Sequence, residues 1–270
     1  MLEFESVSKT YPNGTAAVQD FSLTVPSHEA AVLVGSSGSG KTTLLRMVNR
    51  MVVPTSGRVL IDGEDVRNDD PVKLRRSIGY VLQSGGLLPH RTVLDNIATV
   101  PTLNGTSRRQ ARSEAGELLT RVGMDPALGS RYPSELSGGQ QQRVGVARAL
   151  ASNPNILLMD EPFGAVDPIV RHELQDELRR LQSELGKTIL FVTHDIEEAF
   201  RLGDQVVILR EGGVIAQQGT PREILANPAD DFVRRFVGAD RASRELTTKK
   251  SNGHTVVLDN DGLPVGVLKA

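Results

Sequence analysis

Cysteine is absent from all 270 residues. Disulfides, thiol nucleophiles and thiolate metal sites are therefore excluded, and the composition fits a reducing compartment. Also missing is any apolar run approaching the roughly 20 residues that cross a bilayer as a helix. Residues 1–7 carry acids and no apolar core, so no secretory signal is expected. The expectation is a chain soluble by itself; if it serves transport, another chain forms the membrane pathway. Nor is positive charge in excess. Lys and Arg number 31 against 33 Asp and Glu, a net charge of −2, which gives no footprint for nucleic acid. No internal repeat or low-complexity segment is visible.

What is present is an ordinary globular composition, 39% hydrophobic and 24% charged. The length allows about one or two domains and a sizeable core. Short apolar runs alternate with helix-like stretches. Residues 2–34 read as strands, and Ala31-Val32-Leu33-Val34 is a run of the kind buried on both faces. Further strands are expected at 58–62, 78–82, 155–159 and 188–192. A hairpin is expected over 205–218 across Glu211-Gly212-Gly213. Residues 84–150 change character: a charged helix at 108–122 and another at 140–151 read as a helical insertion between two strands of one sheet. After Asp167 and Pro168 a helix carries Leu174, Leu178, Leu181 and Leu185 on one face and stops at Gly186. Thr220-Pro221-Arg222-Glu223 reads as a capping box. Strands alternating with helices imply an α/β fold with a mainly parallel sheet.

Three motifs carry chemistry. Gly35-Ser36-Ser37-Gly38-Ser39-Gly40-Lys41-Thr42 fits G-x-x-x-x-G-K-[ST]. Glycines let backbone N–H groups converge on phosphate oxygens at a helix N-terminus. Lys41 offers its charge to the outer phosphates, Thr42 its hydroxyl to magnesium, and Thr43 reaches the inner phosphates. A flexible Gly/Ser turn is the alternative, but a buried strand before and a helix after point to the phosphate loop. Asp160 closes the strand 155–159, where carboxyl ends of parallel strands gather ligands. It would hold the metal through water, and Glu161 would polarise an attacking water. A solvated acid pair capping the next helix is the alternative. His194 closes another buried strand on the same edge. From its position alone it could contact the γ-phosphate or be a structural histidine.

Leu136-Ser137-Gly138-Gly139-Gln140, followed by Gln141-Gln142-Arg143, resembles the LSGGQ motif of ABC ATPases. With the phosphate loop, Asp160-Glu161 and His194 in family order, the resemblance covers about residues 1–240. It implies the P-loop fold of ABC type, with an N-terminal antiparallel β subdomain, a mainly parallel core sheet and an inserted helical subdomain at about 84–150. It implies ATP and magnesium as ligands, and ATP hydrolysis coupled to transport. Tyr11 matches the aromatic that stacks on adenine. Gln83 matches the glutamine that senses magnesium and the γ-phosphate. Residues 35–43 would hold ATP, and Ser137, Gly138, Gly139 and Gln140 would meet it from the opposite subunit. Asp167, in Gly164-Ala165-Val166-Asp167, matches a loop that crosses the dimer; the family more often has Ser-Ala-Leu-Asp there. His194 matches the switch histidine.

Partners implied by the resemblance are a second ATPase subunit in the ATP-bound state and transmembrane permease subunits, docked beside Gln83 and residues 84–90. A periplasmic or lipid-anchored solute-binding protein would serve the same system without touching this chain. The place implied is the cytoplasmic face of the membrane. Members that act on nucleic acid usually carry two units or a long coiled-coil insertion, and neither is here. Met47-Val48-Asn49-Arg50, Pro54-Thr55-Ser56-Gly57 and residues 141–150 and 158–168 resemble ATPases of quaternary-amine importers, whose solutes include glycine betaine, choline and carnitine. Residues 241–270 read as a linker, charged to Lys250, and a short segment. Residues 254–268 resemble a fragment of a CBS domain, with strands at 255–258 and 265–268 about a turn at 259–262. A polar tail with a chance hairpin is the alternative.

Overall fold

The computed structural model describes residues 1–83, 85–164, 166–238, 247–251, 254–258 and 264–268. Two compact units divide the chain, 1–221 and 222–270, whereas the family resemblance runs to about 240.

The first unit opens with β1 (Leu2–Thr10), β2 (Ala16–Val25) and β3 (Ala30–Gly35), then α1 (Lys41–Val48). β4 (Ser56–Ile61) turns at Asp62-Gly63 into the short β5 (Glu64–Asp65). Both turn residues are left-handed, at φ 51° and 84°, as a two-residue hairpin requires. α2 (Pro71–Ser77) leads into β6 (Ile78–Val81). Helices α3 (Val93–Ile97), α4 (Thr99–Leu103), α5 (Arg108–Arg121) and α6 (Gly138–Leu150) follow before β7 (Ile156–Asp160). α7 (Pro168–Leu185), β8 (Thr188–Thr193), α8 (Ile196–Leu202) and the antiparallel pair β9 (Gln205–Leu209) and β10 (Ile215–Gly219) complete the unit.

These strands form two sheets. The N-terminal sheet is antiparallel, in the order β2-β1-β4-β5. The core sheet runs β10-β9-β3-β8-β7-β6 and is parallel except at β10. β3, β7 and β8 are buried at every position, which explains why they read as unbroken apolar runs rather than alternating ones. β6 and β7 are neighbours, so the helical stretch between them is an excursion from one sheet, as its sequence suggests. Leu44, Leu45, Met47 and Val48 of α1 join one core cluster with Leu33, Leu158 and Leu190 of the core sheet and Leu2, Phe4 and Phe21 of the N-terminal sheet. α1 is thus held between two sheets, and its N-terminus is fixed where the phosphate loop ends. Leu174, Leu178 and Leu181 of α7 are buried, the core stripe their spacing predicts.

Starting at α9 (Pro221–Ala226), where the capping box was expected, the chain enters the second unit. α10 (Asp231–Phe236) is capped by the Asp230 carboxylate, which accepts from Val233 N at 3.0 Å. β11 (Thr247–Ser251), β12 (His254–Leu258) and β13 (Pro264–Leu268) form an antiparallel sheet. The two later strands match expectation. The first corrects it: residues 247–250, read as charged linker, pair with residues 255–258 of β12. Charged residues occur in strands, so charge alone does not argue against one. The rest of that linker and the turn expected at 259–262 lie outside the described residues.

Candidate active site

The first cluster grows from the end of β3. Gly40 caps α1 in the left-handed region, at φ 82°, and makes no side-chain cap bond. A Cβ there would stand 2.4 Å from the Ala17 backbone oxygen, so only glycine fits. Since no side chain occupies the α1 N-terminus, its first-turn N–H groups face outward as anion donors. Ser39 is fully buried. Lys41 Nζ donates to the carbonyls of Gly35 and Ser36, each at 2.8 Å, and to Ser39 Oγ at 3.3 Å. Its amine is thereby folded into the loop. Burial pulls the lysine below its ordinary pKa, and the charges of Glu161 and Asp160 oppose that pull. An open cavity of about 340 Å³ lies over the loop, walled by residues 15–17, 37–43, Glu161 and Glu211.

The second cluster hangs on β7. Asp160 is 8% exposed and is held on both oxygens. Thr42 Oγ1 donates to Oδ1 at 2.9 Å, Tyr80 Oη donates to Oδ2 at 3.3 Å, and Arg46 Nη2 lies 3.8 Å from Oδ2. The donors that meet here are a hydroxyl and a carboxylate, both hard oxygens suited to magnesium. No group of three or more His, Cys, Asp or Glu side chains that could cage an ion exists among the described residues.

Glu161 follows with a left-handed backbone, φ 46°, while its N–H still bonds the Val192 carbonyl at 2.9 Å. His194 Nδ1 lies 3.1 Å from Glu161 Oε2. A proton on Nδ1 makes the imidazole the donor to that carboxylate. The side chain of His194 is 62% exposed and that of Glu161 25%.

The remaining expected residues fall in three places. Tyr11 Oη lies 3.5 Å from Thr43 Oγ1, beside the loop, and Lys9 Nζ stands 5.4 Å from the centre of its ring. Gln83 Nε2 lies 3.1 Å from where a Cβ on Gly164 would be, so the glutamine packs against the segment after Glu161. Ser137 caps α6: its hydroxyl accepts from Gln140 N at 3.3 Å, and its own N–H donates to Gln140 Oε1 at 2.9 Å. Gln140 therefore carries the helix start, which its family position did not suggest although S-x-x-Q is a capping-box spacing. Gly139 is buried, and a Cβ on it would stand 2.7 Å from Val170 Cγ1. Ser137 and Gly138 are exposed and, like Gly139, are not among the walls of the loop cavity. Asp167 is exposed ahead of α7, and its carbonyl accepts from Arg171 N at 2.8 Å. Ala165 lies outside the described residues.

Sequence reasoning missed Tyr80 and Arg46. Arg46 stands four residues after Thr42, on the same face of α1. Tyr80 is the polar-tipped residue of an otherwise apolar β6, paired in register with Leu158 two residues before Asp160. Both signals were present.

A family model described as ABC transporter matches residues 18–164. Over 241 residues the chain is 52% identical to the carnitine transport ATP-binding protein OpuCA of Listeria monocytogenes, covering 89% of this chain and 60% of that protein. It is 48% identical over 251 residues to the glycine betaine uptake system ATP-binding protein YehX of Escherichia coli, covering 93% and 81%. Thus the match spans about three fifths of the first of these relatives. Among solved structures, the dimeric post-hydrolysis ATP-binding cassette MJ0796, bound to ADP and Pi, superposes with a TM-score of 0.75 at 34% identity, over 82% of this chain and 99% of that one.

Proposed function

This chain belongs to the ABC transporter family, and from that premise we propose that it binds ATP on the loop 35–43 and hydrolyses it to drive uptake of a quaternary amine. The observation that carries hydrolysis is the Glu161–His194 pair, 3.1 Å apart, with Glu161 on the wall of the same cavity as Lys41. Backbone N–H groups of the loop and Lys41 hold the outer phosphates and favour the charge that develops on them. Glu161 Oε accepts the proton of the attacking water. His194, through Nδ1–H, holds that carboxylate in place, and an Nε2–H would be the donor for a contact with the γ-phosphate. Thr42 and Asp160 fit magnesium, which when bound would draw charge from the phosphate oxygens. Tyr11 supplies a ring beside Thr43 for adenine, on the face away from Lys9. Gln83 reaches toward the same phosphate and metal.

The cavity is covered, in this reading, by Ser137, Gly138 and Gly139 of a second copy. The exposure of Ser137 and Gly138 at a helix start, away from the chain's own loop, supports a site made by two chains. No helix among the described residues is long and apolar enough to cross a membrane, so the membrane path belongs to permease partners. We assign their contact to the region after Gln83, where a cavity of about 510 Å³ is walled by His90, Arg91, Thr92, Asp95 and Tyr132 among others. That contact would hold the chain peripherally at the cytoplasmic face. Carnitine and glycine betaine in the relatives' names support the solute class. The strands at 254–258 and 264–268 are read as a short CBS-like element.

Glu161→Gln tests the proposal. It keeps size and a hydrogen-bonding tip but removes the base, so ATP turnover falls at least about 100-fold while ATP still binds. Unchanged turnover in the purified variant overturns the assignment.

A further inference from the structure

Arg171 stands on the first turn of α7, four residues after Asp167. Its guanidinium reaches two ways. Nη2 donates to the Val166 carbonyl at 3.3 Å, and Nη1 lies 3.8 Å from Asp195 Oδ2. Asp195 is the residue after His194, and its carboxylate caps α8 by accepting from Glu197 N at 2.9 Å and Glu198 N at 3.2 Å. One turn further along α7, Gln175 Nε2 donates to Oε1 of the buried Glu198 at 3.0 Å. Two successive turns of α7 thus grip the first turn of α8.

The grip encloses the short span that carries His194, between the end of β8 and the start of α8. β8 is fixed by burial at every position, so the freedom left to His194 lies in the link to α8. Arg171 removes that freedom from one side and at the same time holds the carbonyl just before Asp167.

As a stability element the ion pair is weak. Its side chains are 29% and 37% exposed and 3.8 Å apart, and such pairs contribute little once solvent screens them. Its value lies in geometry. A misplacement of about 1 Å at a reacting group costs on the order of 100-fold in rate.

We propose that Arg171 is a positioning residue for hydrolysis: by joining Val166 O to Asp195 it holds His194 in register with Glu161. The proposal rests on the reading of Glu161 and His194 given above.

The test uses the full-length chain. Steady-state ATPase kinetics and thermal denaturation are measured for wild type, Arg171→Ala, Arg171→Lys, Asp195→Asn and the Arg171→Ala/Asp195→Asn double variant. Asparagine retains the cap acceptor for α8, so Asp195→Asn keeps the test alive should Arg171→Ala fold poorly. The expected result for Arg171→Ala is a kcat lower by about 10- to 100-fold, with KM for ATP within about threefold and an unchanged melting temperature. Arg171→Lys keeps the charge but not the fork, and recovers part of kcat. Asp195→Asn also lowers kcat, and the double variant falls no further than the lower single one.

Wild-type kcat in Arg171→Ala, a loss expressed only in KM or melting temperature, or additive losses in the double variant would each overturn the clamp. The two readings fail differently. A wild-type chain without ATP turnover sinks the hydrolysis reading. Normal wild-type turnover with an indifferent Arg171→Ala sinks only the clamp.

Discussion

Gly139→Ala adds a single methyl group at the start of α6, and the structure sets its cost. The new Cβ would stand 2.7 Å from Val170 Cγ1 and 3.8 Å from Val170 Cβ. Carbon atoms settle at about 3.5–4.0 Å, so roughly 1 Å of overlap must be relieved. Val170 lies in α7, where valine keeps one strongly preferred χ1 rotamer. It cannot simply rotate away, and the two helices must part. Overpacking of this kind costs about 1–3 kcal/mol. Replacing glycine by alanine in a helix returns about 1 kcal/mol. The net loss is about 0–2 kcal/mol, or at most about 8 °C in melting temperature for a chain of this size. Activity falls further, because a shift of about 1 Å at Ser137 and Gly138 is worth on the order of 100-fold. The assay pairs ATPase rate with thermal denaturation in Gly139→Ala and in Gly139→Ala/Val170→Ala. Truncating Val170 frees the space and should return at least about tenfold in rate. Wild-type rate in the single variant refutes the steric reasoning. So does a double variant as slow as the single, which would mean that the glycine is needed for the approach of nucleotide rather than for packing against α7.

Further outcomes follow from particular contacts. Burial raises the pKa of Glu198, against hydrogen bonds from Thr193 and Gln175 that lower it. The folded chain therefore holds this proton more tightly than the unfolded one. The stability it contributes is complete below the unfolded value of 4.5 and is lost as pH rises through the folded one. Glu198→Gln should melt higher than wild type near neutral pH and level with it in acid; a difference independent of pH refutes this. Tyr80→Phe removes the hydroxyl from Asp160 Oδ2 and should raise, by about tenfold, the magnesium needed for half-maximal turnover. Manganese titration in the presence of an ATP analogue checks it, and unaltered affinity counts against the role. Ser137→Arg should abolish hydrolysis while dilute monomer still binds ATP, because the block sits on the covering face. Loss of monomer binding argues against a site made by two chains.

Much of the candidate site was legible because its residues are local in sequence. The phosphate loop is eight consecutive residues between a buried strand and a helix, and Asp160-Glu161 is one dipeptide at a strand end. The leucines of α7 and the hairpin of β9 and β10 could be read from period and punctuation. What sequence did not reveal is set by contacts between distant segments. Asp160 is held from residues 42, 46 and 80, and only the sheet order brings these together. Arg171 and Asp195 look like unremarkable surface charges until α7 is laid against α8. The left-handed backbone of Glu161 has no compositional mark, since glutamate there resists the conformation that the strand end imposes. β11 carries a mark of its own in the sequence: Asn252-Gly253, a dipeptide typical of two-residue hairpins, follows Ser251, and Ser251 pairs with His254.

The position of β3 has a consequence for how the protein comes into being. The strand that carries the phosphate loop is made early, yet its two neighbours are β8 and β9, which leave the ribosome far later. At roughly 5–20 residues per second, the wait is on the order of 10–35 s. Until Leu209 has emerged, the loop has no sheet to hang from and α1 has only part of its floor. A nascent chain should therefore be blind to ATP for most of its synthesis and acquire the nucleotide cradle late, in one cooperative step. A ribosome-bound series stalled before and after residue 209 would register that step as the sudden onset of nucleotide crosslinking.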